Sequence, residues 1–137
     1  MCENILIESF DKSELFLDKY HDVCVCYVLS DDYKLHTVDK NEKIKFTPAS
    51  VIFYNEKLNL IQILAVGKNY RGKKYGYYLI KYVSLKYDNN ISLHVRNKNI
   101  NAIKLYESLG FKIVKTIKDY YSYTNINEDA HHMILYQ

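Results

Sequence analysis

Three places in the chain carry side chains able to do chemistry. The first is the run Gly67-Lys68-Asn69-Tyr70-Arg71-Gly72-Lys73-Lys74-Tyr75-Gly76. An almost unbroken apolar segment, Leu58 to Val66, leads into it, as for a central strand buried on both faces. A helical pattern with Leu79, Tyr82, Val83 and Lys86 follows it. A strand that passes through a short basic loop into a helix leaves unpaired backbone N–H groups at the positive end of the helix dipole. That is a seat for a pyrophosphate. Gly76 permits close backbone approach, and Arg71, Lys73 and Lys74 add charge. Taken alone, the run reads equally well as a solvated basic turn.

The second place is Leu93-His94-Val95-Arg96-Asn97-Lys98-Asn99-Ile100-Asn101-Ala102-Ile103-Lys104-Leu105-Tyr106-Glu107-Ser108-Leu109-Gly110-Phe111. Ile91 to Val95 alternates as a strand, and spacing alone favours His94 as a packed residue between Leu93 and Val95. Asn99 or Asn101 can cap the helix that follows. Its apolar face is Ala102, Leu105, Tyr106 and Leu109, so spacing alone makes Tyr106 a core tyrosine. Gly110 stands where a left-handed C-terminal cap belongs. The third place is His131-His132. Adjacent histidines on a strand point to opposite faces, which argues against a shared metal.

Around these places the elements alternate. Ser13 to Tyr20 reads as a short helix behind an Ser13 cap. Val23 to Leu29 and Tyr33 to Val38 read as strands, separated from the next segment by the polar turn Asp39 to Glu42. Ile44 to Tyr54 is extended, but Thr47-Pro48 demotes it to an edge strand or a bulge. From Leu58 onward the order is strand, loop, helix, strand, helix, strand (Phe111 to Ile117), loop, strand (His132 to Tyr136).

Composition sets the bounds. The chain has 137 residues, enough for one domain with a real core and no disulfide or metal support. Its three cysteines, Cys2, Cys24 and Cys26, make a poor disulfide framework. Cys24 and Cys26 read as buried thiols on one strand face. A net charge of +3 and a pI near 8.6 are too mild to argue for nucleic acid, but suit an anionic small cofactor. No run approaches a membrane span, and Met1 to Phe10 lacks the basic region of a secretory signal. The expectation is a soluble, cytoplasmic protein with no membrane partner.

With the two long motifs in hand, the sequence resembles the GNAT superfamily of acetyltransferases. Arg71 and Gly76 match its Arg/Gln-x-x-Gly-x-Gly/Ala pyrophosphate motif. Asn101, Ala102, Leu105, Tyr106, Gly110 and Phe111 match its Asn, Ala, Leu-Tyr and Gly-Phe element. The resemblance is best from Leu58 to the C-terminus. Within the superfamily the sequence is most similar to protein N-terminal acetyltransferases, both the bacterial ribosomal-protein alanine enzymes and the eukaryotic NatE-type subunits. That likeness rests on Leu93-x-Val95-Arg96, Leu105 to Phe111, Tyr120-Tyr121 and Glu128-Asp129-Ala130. Lys74 departs from the pattern, standing where the motif has its first glycine. If that position is left-handed, a lysine there costs about 1–2 kcal/mol. The first half also departs, with one helix where the family usually has two.

The resemblance implies an α+β, three-layer GNAT fold, a mixed central β-sheet flanked by helices, over residues 1–137 as a single domain with a shortened N-terminal half. It implies acetyl-CoA as donor, a peptide or protein N-terminus as acceptor, and direct attack in a ternary complex. Leu64, Val66, Arg71, Gly72, Lys73, Lys74, Tyr75, Gly76 and Asn101 would hold the cofactor. Backbone groups of Leu64 and Val66 would take the pantetheine arm. His94 would be the base, at a place where the bacterial enzymes have a glutamate and the NatE-type enzymes a histidine. Tyr106 would be the acid toward the leaving thiolate, and Tyr120 and Tyr121 would cover the acceptor. Two alternatives stand beside this reading. One is an acetyltransferase of lysine or small amines such as polyamines or aminoglycosides. The other is a non-catalytic module binding acetyl-CoA or a partner.

Overall fold

The computed structural model describes residues 23–39, 42–120 and 128–137. The helix expected at Ser13 to Tyr20, Cys2, and part of the Asp39 to Glu42 turn lie outside these residues. The fold is α+β, a mixed β-sheet flanked by helices. Contacts gather in two units that divide between Lys86 and Tyr87.

In the first unit four strands run antiparallel in the order β2-β1-β3-β4: β1 Val25–Ser30, β2 Leu35–Val38, β3 Pro48–Asn55 and β4 Leu60–Val66. Residues two apart on these strands share a face. On one face Cys26 and Val28, Val51 and Phe53, and Val38 and Ala65 form a buried cluster, with Cys24 packed against it. Both described cysteines lie on that face, Cys26 buried and Cys24 half-buried, and burial pushes the Cys24 thiol up to about 11. Helix α1, Tyr75–Lys86, packs on β3, β1 and β4. It buries Leu79, Ile80 and Val83, at about 1.5–3 kcal/mol each.

Two expectations need correction here. The segment carrying Pro48 is not an edge strand; of the two alternatives, the break in register expected of a bulge is the one that occurs. β3 lies between β1 and β4, and all eight of its residues are buried. Proline is tolerated because Pro48 is the first strand residue, where a missing N–H breaks no internal ladder bond. The pairing with β1 slips there, between Leu29 and Ser30 opposite Pro48, and the pairing with β4 slips between Phe53 and Tyr54. Conversely β4 is not buried on both faces. Only Ile61 and Ala65 are fully covered, and Leu60, Gln62, Ile63, Leu64 and Val66 are half-buried. The continuous apolar run marks the central strand of the sheet, but not one covered on both faces.

In the second unit β5 Ile91–Arg96, β6 Lys112–Ile117 and β7 Ala130–Leu135 form an antiparallel set with β7 in the middle. β5 alternates cleanly: Ile91, Leu93 and Val95 are buried, and Ser92, His94 and Arg96 are half-buried. Helix α2, Ile100–Ser108, starts at Asn99, whose side chain accepts the Ala102 N–H at 3.2 Å. Its buried residues are Ile103 and Tyr106; Ala102, Leu105 and Leu109, on the expected face, are half-buried. The helix ends in a Schellman motif. Phe111 N–H reaches the Tyr106 carbonyl and Gly110 N–H the Glu107 carbonyl, both at 3.0 Å, with Gly110 at φ +101°. The Phe111 ring closes the motif against Tyr106, centroids 5.9 Å apart. Gln137 ties the C-terminus to the start of β5 through Asn90, Tyr87 and Asn89.

Candidate active site

In the first unit the basic loop is built by backbone geometry. Gly67 N–H donates to the Ala49 carbonyl at 2.8 Å, and one short 3-10 turn, Lys68–Tyr70, carries the chain out of β4. Arg71 Nε donates to the Val66 carbonyl at 3.3 Å, folding the guanidinium back over the strand end. Gly72 and Lys74 are both left-handed, at φ +77° and +67°, and flank Lys73. Left-handed residues interleaved this way curl backbone N–H groups into an anion-binding concavity. The Lys74 carbonyl takes the N–H of Tyr78 at 3.0 Å and so opens α1. The next N–H groups, at Tyr75, Gly76 and Tyr77, have no acceptor within the helix. No acidic residue stands in this first turn. Three cations, a backbone concavity and a helix start without carboxylates fit the diphosphate of acetyl-CoA.

A tyrosine that the sequence did not single out holds this loop. Tyr33, in the turn between β1 and β2, donates its hydroxyl to the Lys73 carbonyl at 3.1 Å. Its ring stacks on Tyr75 with centroids 4.3 Å apart and planes 7° from parallel. Tyr75 returns the contact, donating its hydroxyl to the Asp31 carbonyl at 2.7 Å, while Ser50 Oγ donates to the Tyr75 carbonyl at 3.1 Å. Burial, then the Tyr33 hydroxyl, push the Tyr75 phenol up to about 12. The Tyr75 side chain is therefore committed to the hairpin turn, and what it offers a phosphate is its backbone. No periodicity links Tyr33 to a loop 40 residues away; only the folded hairpin does. Tyr33, Lys73, Lys74, Tyr78 and Tyr82 help line a cavity of about 820 Å³ beside the loop.

In the second unit His94 projects from the half-buried face of β5. Its ring stacks with Tyr120 at 5.0 Å and 20°, and with His132 at 4.9 Å and 28°. His132 is its direct cross-strand partner. Burial lowers the His94 pKa below its ordinary 6.5, and the charges of His132 and Lys115 lower it further. Burial and Lys115 lower His132 likewise. His131 faces the other way and meets Thr116 Oγ1 through Nδ1 at 2.9 Å. The two adjacent histidines thus diverge, and no group of three metal-type ligands occurs among the described residues.

The structure brings His94 and Tyr120 together. Tyr106 is buried on α2 against Phe111. Asn101 is exposed in the first turn of α2, and the cap belongs to Asn99. The family element spaces its asparagine three residues before the alanine, which from Ala102 is Asn99 and not Asn101. Leu64 and Val66 pair with Ile52 and Ser50 along β4, and Arg71 already engages the Val66 carbonyl. Asn97 Oδ1 is buried with no partner among the described residues, an open acceptor just past β5. Tyr121 lies outside the described residues.

Comparison with solved structures gives the same fold repeatedly. An IAA acetyltransferase from Bacillus cereus superposes with a TM-score of 0.71 at 18% identity, covering 98% of this chain and 91% of that one. The ribosomal-protein-S18-alanine N-acetyltransferase from Escherichia coli gives 0.70 at 22%, covering 98% and 84%. A chimeric spermidine N-acetyltransferase derived in part from Vibrio cholerae gives 0.62 at 19%, covering 94% and 78%. At these identities the likeness shows the fold. The family described as acetyltransferase (GNAT) domain matches residues 22–113, well over half of the 137. The chain belongs to the GNAT acetyltransferase family.

Proposed function

We propose that residues 1–137 work as one GNAT domain that moves an acetyl group from acetyl-CoA to a protein N-terminal α-amine. The amine attacks the thioester carbonyl directly, the tetrahedral oxyanion collapses, and CoA leaves as a thiolate that takes a proton. In this reading Arg71 to Gly76 seat the diphosphate, and backbone groups of Leu64 and Val66 guide the pantetheine arm. His94 accepts the proton of the attacking amine, and Tyr106 supplies the proton to the thiolate. The observation that carries the reading is the state of His94: half-buried, stacked by Tyr120, and held toward its neutral form by burial and nearby positive charge.

An α-amine, with a pKa of about 7.7–8.0, is already neutral in roughly a tenth of molecules at pH 7; a lysine, near 10.4, is not. A neutral imidazole suits the modest proton removal that remains. The charges around His94 also favour an acceptor with one amine over a polyamine. Among the described residues the charges acting on it are those of His132 and Lys115. The acid clusters that a polyamine would need are engaged locally. Asp32 accepts from Ser30 and lies 3.7 Å from Lys34. Glu128 lies 3.5 Å from Arg96, and Asp129 accepts the Asp119 N–H at 3.0 Å.

The acceptor side is tested at Tyr120. Tyr120→Ala is expected to raise the KM for a peptide N-terminus several-fold and to leave acetyl-CoA affinity unchanged by calorimetry. An unchanged peptide KM, with His94→Ala still abolishing acetylation of a small amine, would replace the N-terminal reading with the small-amine one.

A further inference from the structure

Strand β6 is exposed along most of its length, yet its register is specific. Ile113 pairs with Met133, and the next pair is Lys115 with His132; the ladder skips Val114. An extra residue of this kind re-aims the side chain that follows it. Here it places Lys115, rather than Val114, opposite His132. His132 in turn pairs directly with His94 on β5. Directly opposed residues on neighbouring strands share a face, so Lys115, His132 and His94 form one row across three strands. The two imidazoles are stacked along that row.

We infer that this row is a positioning device for the proton-accepting histidine: His132 fixes the His94 ring by stacking, and together with Lys115 keeps it uncharged. The inference rests on the reading of His94 as the base and adds two positioning residues to it. Two imidazoles at stacking distance do not both hold a proton, because like charges that close repel. Lys115 at the end of the row opposes protonation of either ring, and the lowered pKa values of both agree with that. The other charged groups around the row are already occupied. Arg96, next on the same face of β5, faces Glu128. Asp129 accepts the Asp119 N–H. His131 is turned to the opposite face and bonded to Thr116. Tyr120 contributes its ring to the stack. No carboxylate is among the causes acting on His94.

The test uses the full chain and two readouts. The first is NMR titration of the His94 ring proton, which needs no turnover. The second is the pH dependence of kcat/KM for a peptide N-terminus. Lys115→Glu changes an exposed residue, so folding is retained; His132→Phe keeps an aromatic ring in the stack and removes its charge. The His94 midpoint is expected to move to higher pH in both variants, further in Lys115→Glu. Activity at pH 6, relative to its plateau, should then fall roughly two- to threefold. High salt should shrink the Lys115→Glu effect, since that side chain is exposed. An NMR midpoint that stays put in both variants overturns the inference. A midpoint that moves while the kcat/KM limb does not leaves the row in place and removes His94 as the base.

Discussion

On α2 the Tyr106 ring packs against Phe111 and keeps 9% of its surface exposed, so it contributes to the core whatever else it does. Tyr106→Phe separates the two roles, because it removes one hydroxyl and keeps the ring. If the hydroxyl protonates the leaving thiolate, turnover falls by about 10²–10⁴-fold and acetyl-CoA affinity stays the same. A fall below about threefold would assign Tyr106 to packing alone. Both catalytic candidates were legible as residues, yet their settings were not. The alternation of β5 correctly left His94 between buried Leu93 and Val95. It was silent on His132 and Tyr120, which reach His94 through strand register and a loop more than twenty residues downstream. Tyr33 was illegible for the same reason. A single tyrosine in a turn carries no periodic signal, and its bond to Lys73 exists only once the hairpin has closed on α1.

At the level of elements, local rules worked where the chain's own bonds decide the outcome. Gly110 behaves as the left-handed cap expected of it, and the whole Schellman motif follows. They failed where tertiary context decides. Pro48 suggested an edge or a bulge; the register does slip opposite it, yet it opens the most deeply buried strand of its unit. The long apolar run ending at Val66 suggested a central strand buried on both faces; β4 is central, yet only half covered. The loop before α1 shows what local reading can still foresee. Lys74 occupies a left-handed position where a glycine would be relaxed. The strain is about 1–2 kcal/mol, and glycine's extra unfolded-state entropy offsets about 0.5–1 kcal/mol of it. Lys74→Gly should therefore raise stability by up to about 1.5 kcal/mol, a gain of a few degrees in Tm. It should also weaken acetyl-CoA binding modestly through the lost ammonium. A lower Tm in this variant would show that the Lys74 side chain holds the loop rather than straining it.

For the molecule as a whole, fold class and family follow from residues 22–113 and the two long motifs, while the acceptor does not. Among the described residues no helix is long and apolar enough to cross a membrane. Structures with the same fold act on substrates as different as a ribosomal protein and spermidine, so the fold leaves the choice to local chemistry. In the proposed site that chemistry is His94, its pKa lowered by burial and by the charges of His132 and Lys115, beside Tyr120. The direct test is acetyl transfer from acetyl-CoA to a panel of peptide N-termini, lysine peptides and polyamines, with pH profiles for the unaltered chain and His94→Ala. Because the His94 pKa is lowered, its active neutral form persists below the ordinary histidine range, and activity is lost only as pH falls through that lower value. Preference for peptide N-termini is expected, with a base-dependent limb below about pH 6.5. His94→Ala should lose about 10²-fold, with that limb abolished. Preferential turnover of spermidine or lysine peptides, or an unchanged limb in His94→Ala, would overturn the reading of His94 as the base for an N-terminal amine.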